Sequence, residues 1–231
     1  MTERILPASD IYASCPREGV VLDYYAGVFD AVYVCFNPFI KPTQISTERF
    51  CPAMYPSQAE LVNLCAPVPW AEVMKLAELP SIAAVDLALR TQIHGIRSER
   101  MWETYAHQLE ALYDSGAVMP PMEGEHSPFH YESVMAIFKD LGHQWAWFGD
   151  EFCTERKLYW IDELSKAEST PIGGHSNIFS ADHSLLWTVH WDSHFSFLCG
   201  TRTDLERARV AERVEGFYCA PSTEVHWSLR E

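Results

Sequence analysis

The stretch LLWTVHWDSHFSFLCG, residues 185–200, decides how the second half of the chain folds. Polar and apolar side chains alternate along it, which is typical of a β-strand with one buried face. If the strand is continuous, His190, Asp192 and His194 share one face, and two imidazoles with a carboxylate are acceptable ligands for zinc or iron. If the chain bends at Asp192 and Ser193, the segment is a hairpin and the two imidazoles point to opposite faces.

We favour the hairpin, or a strand interrupted by a bulge, because a continuous strand of about 15 residues would far exceed the usual five or six. Asp and Ser favour turns through hydrogen bonds to their own backbone. They are not the Asn-Gly or Asp-Gly pair that two-residue turns prefer, so the ligand face remains the alternative. In that alternative a third imidazole from His175, His183 or His226 completes the metal site, with Asp182 or His183 nearby.

The composition predicts a folded, soluble protein. Of the 231 residues, 48% are hydrophobic and 21% charged, which is enough to bury a sizeable core. The net charge of −15 repels phosphate backbones and anionic lipid, so neither nucleic acid nor a membrane is expected as a partner. No run approaches the roughly 18 apolar residues that a membrane helix needs. The same charge is typical of a protein that stays soluble, and it would also steer a basic protein partner or a cation towards the surface.

The cysteines and the glycines carry no signature of catalysis. There are seven cysteines, an odd number without a C-x-x-C pair, and the first residues lack a signal-peptide pattern. These features predict reduced thiols, which act as small hydrophobes when buried, and a cytoplasmic location. Phosphate-binding glycine motifs and G-x-S-x-G are absent. An enzyme is therefore the less favoured interpretation.

The periodicity changes along the chain from helical to alternating. Serine cap patterns, among them a capping box at Ser57 and Glu60, and helical spacing predict helices over much of 57–116 and again at 131–141. Between them, the polar run EGEHSP (123–128) predicts a surface connection. A capping box at Thr203–Glu206 predicts one late helix. Besides the segment quoted above, strand patterns occur at 31–36, which is apolar on both faces, and at 144–148, 157–161, 217–219 and 224–227.

This order predicts an α+β fold. We expect a helix-rich N-terminal half, followed by a mainly antiparallel sheet with one late helix in the C-terminal half. No linker without structure divides the chain. Residues 1–231 are therefore expected to form a single compact unit, or two packed subdomains: a helix-rich one over 1–120 and a sheet-rich one over 121–231.

Tryptophan is frequent, with eight residues in the chain. Trp and Tyr dominate the energetics of both cores and interfaces. The five tryptophans in or beside the predicted strands are the candidates for a binding surface: Trp145, Trp147, Trp160, Trp187 and Trp191. Packing of the sheet against helices explains them equally well.

Several segments together resemble the YwbB-like family of uncharacterised bacterial proteins. They are MYPSQAELVNL (54–64), PVPWAEVM (67–74), AVDLALRTQI (84–93), Asp192-Ser193 with the apolar strand after it, and FYCAPSTEVHW (217–227). Asp192 and Ser193 fit the family pattern better than His190 and His194 do. The resemblance thus implies that a metal site on the two imidazoles is not a family property, and it implies no activity.

We therefore expect an acidic binding protein without a cofactor, an immunity-type or regulatory partner of a basic protein. The alternative is a metal-dependent hydrolase or oxygenase that holds zinc or iron at His190, Asp192 and His194. A protein that binds a small molecule in a pocket lined by tryptophan is a third class that the sequence leaves open.

Overall fold

The computed structural model describes residues 8–95, 102–151, 154–164 and 176–230. Over these residues the strands are β1 (Ala31–Phe36), β2 (Phe39–Pro42), β3 (Cys65–Val68), β4 (Trp145–Asp150), β5 (Arg156–Trp160), β6 (Ser176–Ser180), β7 (Leu186–Val189), β8 (Phe195–Gly200) and β9 (Gly216–Tyr218). The helices are α1 (Val21–Tyr24), α2 (Gln58–Leu64), α3 (Trp70–Leu76), α4 (Ile82–Gln92), α5 (Glu103–Asp114), α6 (Tyr131–Asp140), α7 (Ile161–Leu164), α8 (Arg202–Arg207) and α9 (Val210–Arg213).

Seven strands form one antiparallel sheet in the order β5-β4-β6-β7-β8-β1-β9, and β2 pairs with β3 separately. Strand β1 comes from the first half of the chain but lies between β8 and β9, with Phe36 opposite Phe195. All six of its residues are buried, as its doubly apolar pattern predicts. A mixed, mainly antiparallel fold is confirmed. The division into a helical half and a sheet half is only partly right, because β1 needs neighbours on both edges.

Helices cover both faces of the sheet. The side chains of β1 alternate, so Val32 and Phe36 face a core formed with α3, α4 and α5. Ala31 and Cys35 face the opposite core, formed with α6, α7, α8 and α9. The small sheet of β2 and β3 has its own apolar cluster with α2. None of the helices that the structure describes is long and apolar enough to cross a membrane.

The segment 185–200 is a hairpin. Strands β7 and β8 pair antiparallel, and their ladder closes at Val189 opposite Ser196. The Ser193 amide donates to the His190 carbonyl oxygen at 3.2 Å, which places Trp191 and Asp192 at the centre of the turn. The hairpin prediction is confirmed with its centre one residue earlier, and the continuous strand is wrong.

Two predictions near the C-terminus need correction. The late helix is split into α8 and α9 by Arg209, whose φ of 56° is left-handed. Its cap is Thr201, whose hydroxyl accepts from the Asp204 amide at 3.1 Å, and not Thr203. The predicted strand at 224–227 is wrong: Glu224 makes only an isolated bridge, and Trp227–Arg230 form a 3-10 turn.

Strand β9 depends on a glycine at its first residue. A Cβ atom at Gly216 would lie 1.7 Å from the Val34 carbonyl oxygen, across the pairing of β9 with β1. We expect Gly216→Ala to lower the free energy of unfolding by about 1–3 kcal/mol, measured by urea denaturation, because the backbone of β9 must shift. Gly149→Ala in β4 is the control, since its nearest new contact is 3.5 Å. Equal stability of the two variants would contradict this account.

Candidate functional site

A buried ion pair lies where α4 meets the β7–β8 hairpin. Asp86 and Arg90 are one helical turn apart, and Arg90 Nε donates to Asp86 Oδ2 at 2.7 Å. Neither side chain is accessible to solvent. Burying two charges is costly unless each is paired and its remaining polar atoms are bonded. The surroundings of this pair are therefore expected to be polar.

Arg90 joins α4 to two other parts of the chain. Its Nη1 donates to the Asp192 carbonyl oxygen at 3.2 Å and to His226 Nδ1 at 2.9 Å. Its Nη2 donates to Ser193 Oγ at 3.3 Å. Because Arg always donates, His226 accepts at Nδ1 and is neutral; burial and then the Arg90 charge lower its pKa. One guanidinium thus holds the hairpin turn and the C-terminal segment against the helix.

The carboxylate of the pair is only partly satisfied. Ser228 Oγ donates to Asp86 Oδ2 at 2.6 Å. Within the described residues, Asp86 Oδ1 has no hydrogen-bond partner, and neither has Nδ1 of the buried His194. Burial lowers the pKa of His194 to about 4, with Asp86 and Arg90 acting on it in opposite directions. At neutral pH this imidazole is therefore uncharged.

The predicted metal ligands do not meet as a trio. His190 Nδ1 accepts from the Asp192 amide at 3.1 Å, so this atom is occupied within the turn. His194 lies after the turn, next to the Asp86–Arg90 pair. In the four described ranges, no group of three or more His, Cys, Asp or Glu side chains is arranged to hold a metal ion.

Of the further residues named for the metal site, His226 lies beside His190, whereas His183 and Asp182 have other partners. His183 stacks on Tyr12, with ring centroids 3.7 Å apart, and Asp182 accepts hydrogen bonds from Ser180 and Ser184. His226 is the acceptor of Arg90, and its ring centroid is 5.8 Å from that of His190. His175 lies outside the described residues.

The segment 122–130 packs against the hairpin, although its polar sequence predicts a surface connection. The Gly124 amide donates to the Ser193 carbonyl oxygen at 2.9 Å. Asn37 Nδ2 donates to the carbonyl oxygens of Met122 and Glu125, each at 2.9 Å. The prediction of a surface connection at 123–128 is therefore wrong for the middle of the segment, because its backbone forms hydrogen bonds with distant parts of the chain.

This segment contributes two buried imidazoles that the sequence does not single out. The His126 ring lies 3.9 Å from that of Trp187, and its Nε2 bonds the Ser176 carbonyl oxygen at 3.0 Å. Burial lowers the pKa of His126 to about 3 and that of His130 to about 4. Both are neutral near pH 7. No signal in the sequence finds them, because histidine in a Gly- and Pro-containing polar run is typical of exposed loops.

The five candidate tryptophans have different environments. Trp187 is fully buried and donates to Ser196 Oγ at 2.8 Å, and Trp147 is half-buried against the core. Trp145, Trp160 and Trp191 are 41%, 40% and 55% exposed. Trp187 and Trp147 are thus core residues, as the packing explanation predicts. Trp145, Trp160 and Trp191 are accessible to a partner.

Trp145 and Trp160 form an exposed aromatic pair at the edge of the sheet. They are opposite each other in the β4–β5 ladder, with ring centroids 5.0 Å apart and planes at 70°. Leu158, 39% exposed, lies on the same face two residues before Trp160. We call Trp145, Leu158 and Trp160 the aromatic edge. Among the described strands, β5 lies at one edge of the seven-stranded sheet and β9 at the other.

Trp191 borders a cleft of about 360 Å³ beside the hairpin turn, which we call the hairpin cleft. Its wall consists of Cys15, Arg17, Glu151, Asn177, Val189, His190 and Trp191. Burial raises the pKa of the Cys15 thiol well above its usual range, which favours the protonated thiol at neutral pH. All six cysteines in the described ranges are free.

These features define an α+β protein with helices on both faces of an antiparallel sheet, and with a buried ion pair whose arginine holds a hairpin. The chain belongs to the family described as "Protein of unknown function (DUF2711)", which it matches over residues 17–229. No curated protein and no solved structure is significantly similar to it. Membership of an uncharacterised family is thereby confirmed, and the family brings no activity.

Proposed function

We propose that this protein acts by binding a basic protein partner, as an immunity-type or regulatory protein, and not by catalysis. The observation that carries the proposal is the aromatic edge, where two indoles in contact are both about 40% exposed. Exposed tryptophans are over-represented among the residues that dominate binding energy. The YwbB-like assignment, a bacterial source and a cytoplasmic location belong to the same proposal.

The position of the aromatic edge favours a protein ligand. Among the strands that the structure describes, β5 is paired with β4 alone, and an edge strand of this kind can pair with another chain. The net charge of −15 attracts a basic partner and accelerates its encounter at low salt. Apolar anchors on β5 and the adjacent β4, combined with long-range electrostatic attraction, form the basis of the proposed interaction.

We expect Trp145→Ala and Trp160→Ala each to weaken binding of the partner by about 10-fold or more, because each removes a large exposed anchor. The partner is captured from native cell extract, purified and then titrated by calorimetry at two salt concentrations. Trp102→Ala is the matched control, since Trp102 is 48% exposed but lies before α5. Binding should weaken as salt increases.

Two results would contradict the proposal. One is a partner whose affinity responds equally to Trp102→Ala and to the aromatic-edge variants. The other is stoichiometric zinc or iron in protein purified without a histidine tag, lost in His190→Ala and His194→Ala. That second result would favour the metal-dependent hydrolase or oxygenase, which stays a prediction from the sequence.

A further inference from the structure

We infer that the hairpin cleft binds a small zwitterion of the α-amino acid type, with the ligand's apolar side chain against Trp191. This site is separate from the aromatic edge. Glu151 follows the last residue of β4, whereas Trp145 is the first, so the two sites are roughly 20 Å apart along the strand. The inference does not depend on the proposed protein partner.

The cleft is built from four parts of the chain. Cys15 and Arg17 come from the segment before α1, Glu151 follows β4, Asn177 lies in β6, and His190 and Trp191 lie in the hairpin turn. Arg90 holds the hairpin turn through Asp192 and Ser193, as described above. The turn that carries Trp191 is therefore attached to α4, which preorganises the site and reduces the entropic cost of binding.

The charges of the wall indicate which ligand fits. Arg17 and Glu151 have opposite signs, and within the described part of the chain neither forms an ion pair. A net anion would meet the carboxylate of Glu151 and the repulsion of a chain with charge −15. A net cation would meet Arg17. A zwitterion places its carboxylate at the guanidinium and its ammonium at the carboxylate, and its zero net charge avoids both penalties.

The uncharged part of the wall offers contact area but few free polar groups. Asn177 Nδ2 donates to the Asp150 carbonyl oxygen at 2.9 Å, and its Oδ1 accepts from the Thr188 hydroxyl. Trp191 is 55% exposed although it is one of the largest apolar side chains in the chain. An indole in this position favours an apolar or aromatic group over a polar one. Specificity then lies in the two charged groups and the indole.

The size of the cleft restricts the ligand further. A volume of about 360 Å³ is at the lower end of the range for small-molecule sites, roughly 300–1,000 Å³. A single amino acid or a dipeptide fits a cleft of this volume. We therefore choose free phenylalanine as the first probe.

The test is calorimetric titration with free l-phenylalanine, N-acetylphenylalanine and phenylalaninamide. We expect saturable binding of the free amino acid and about a 10-fold loss for each blocked form, since each removes one charge. Arg17→Gln and Glu151→Gln should each weaken binding of the free amino acid by about 10-fold and should remove the preference over the corresponding blocked form. Trp191→Ala should weaken all three probes.

Three controls separate a site from a general surface effect. Glu72→Gln, at an exposed position of α3, and Trp145→Ala, in the aromatic edge, should leave the affinity unchanged. Circular dichroism should show that each variant is folded. The inference is overturned by equal affinity for free and blocked forms, by insensitivity to Arg17→Gln and Glu151→Gln, or by absence of binding across the standard amino acids up to roughly 10 mM.

Discussion

Asp86→Ala is expected to lower the free energy of unfolding by about 3–5 kcal/mol, because it leaves the Arg90 guanidinium buried and without its counter-ion. The loss extends beyond one contact. Arg90 also holds the backbone of Asp192 and the hydroxyl of Ser193, so an unpaired guanidinium that moves towards water withdraws its support from the hairpin. Guanidinium chloride denaturation, followed by near-ultraviolet circular dichroism and by fluorescence, measures the effect.

Two further variants show whether charge burial is the cause. Asp86→Leu combined with Arg90→Met should be more stable than Asp86→Ala alone, since replacement of a whole buried pair by apolar residues is often close to neutral. Glu212→Ala breaks the exposed pair with Arg209 and should cost less than about 1 kcal/mol. If Asp86→Ala is no more harmful than Glu212→Ala, the buried pair does not stabilise the fold.

The second large effect is acid sensitivity. Burial places the pKa of His126 at about 3 and those of His130 and His194 at about 4, whereas an unfolded histidine has a pKa of about 6.5. Between these values the unfolded chain binds more protons than the folded one, so stability is complete above pH 6.5 and falls as the pH decreases. At pH 5 the loss is about 2 kcal/mol per imidazole, or about 6 kcal/mol for three.

A loss of this size is comparable to the whole stability of a typical domain, about 5–15 kcal/mol. We therefore expect cooperative unfolding between pH 6 and 4, measured by urea denaturation at a series of pH values. His130→Gln should flatten the slope of stability against pH by about one third, whatever it does to stability at pH 7. His107→Gln, at an exposed position of α5, is the control and should leave the slope unchanged. Folded protein with full stability at pH 4 would exclude the buried neutral imidazoles.

Both effects arise where the chain brings distant segments together, and both escape prediction from the sequence. Asp86 and Arg90 are four residues apart on a helix, which is the spacing of an ordinary surface ion pair. They are buried because the hairpin and the residues around Ser228 pack over them. His126 likewise becomes a core residue only through contacts with Ser176 and Trp187, about 50 positions or more along the chain.

The predicted metal ligands His190, Asp192 and His194 are the opposite case, because there the local sequence predicts the turn. Asp192 and Ser193 are residue types that favour turns, and the Ser193 amide does close a turn on the His190 carbonyl oxygen, with His190 before the turn and His194 after it. The exposure of an individual tryptophan, by contrast, cannot be predicted from the residues next to it in the sequence. Trp145 and Trp187 both lie in strands of alternating pattern, yet one is 41% exposed and the other is buried, because only Trp145 is near the outer edge of the sheet.

Three elements could be predicted from signals that lie within a few residues: β1 as a strand buried on both faces, the capping box at Ser57 and Glu60, and the β7–β8 hairpin. The position of β1 between β8 and β9, the burial of the Asp86–Arg90 pair and the assembly of the hairpin cleft became visible in the folded structure alone. The difference lies in the distance along the chain over which the interactions act. Turns and caps satisfy neighbouring backbone groups, whereas strand order, charge burial and clefts depend on contacts between residues far apart in the chain.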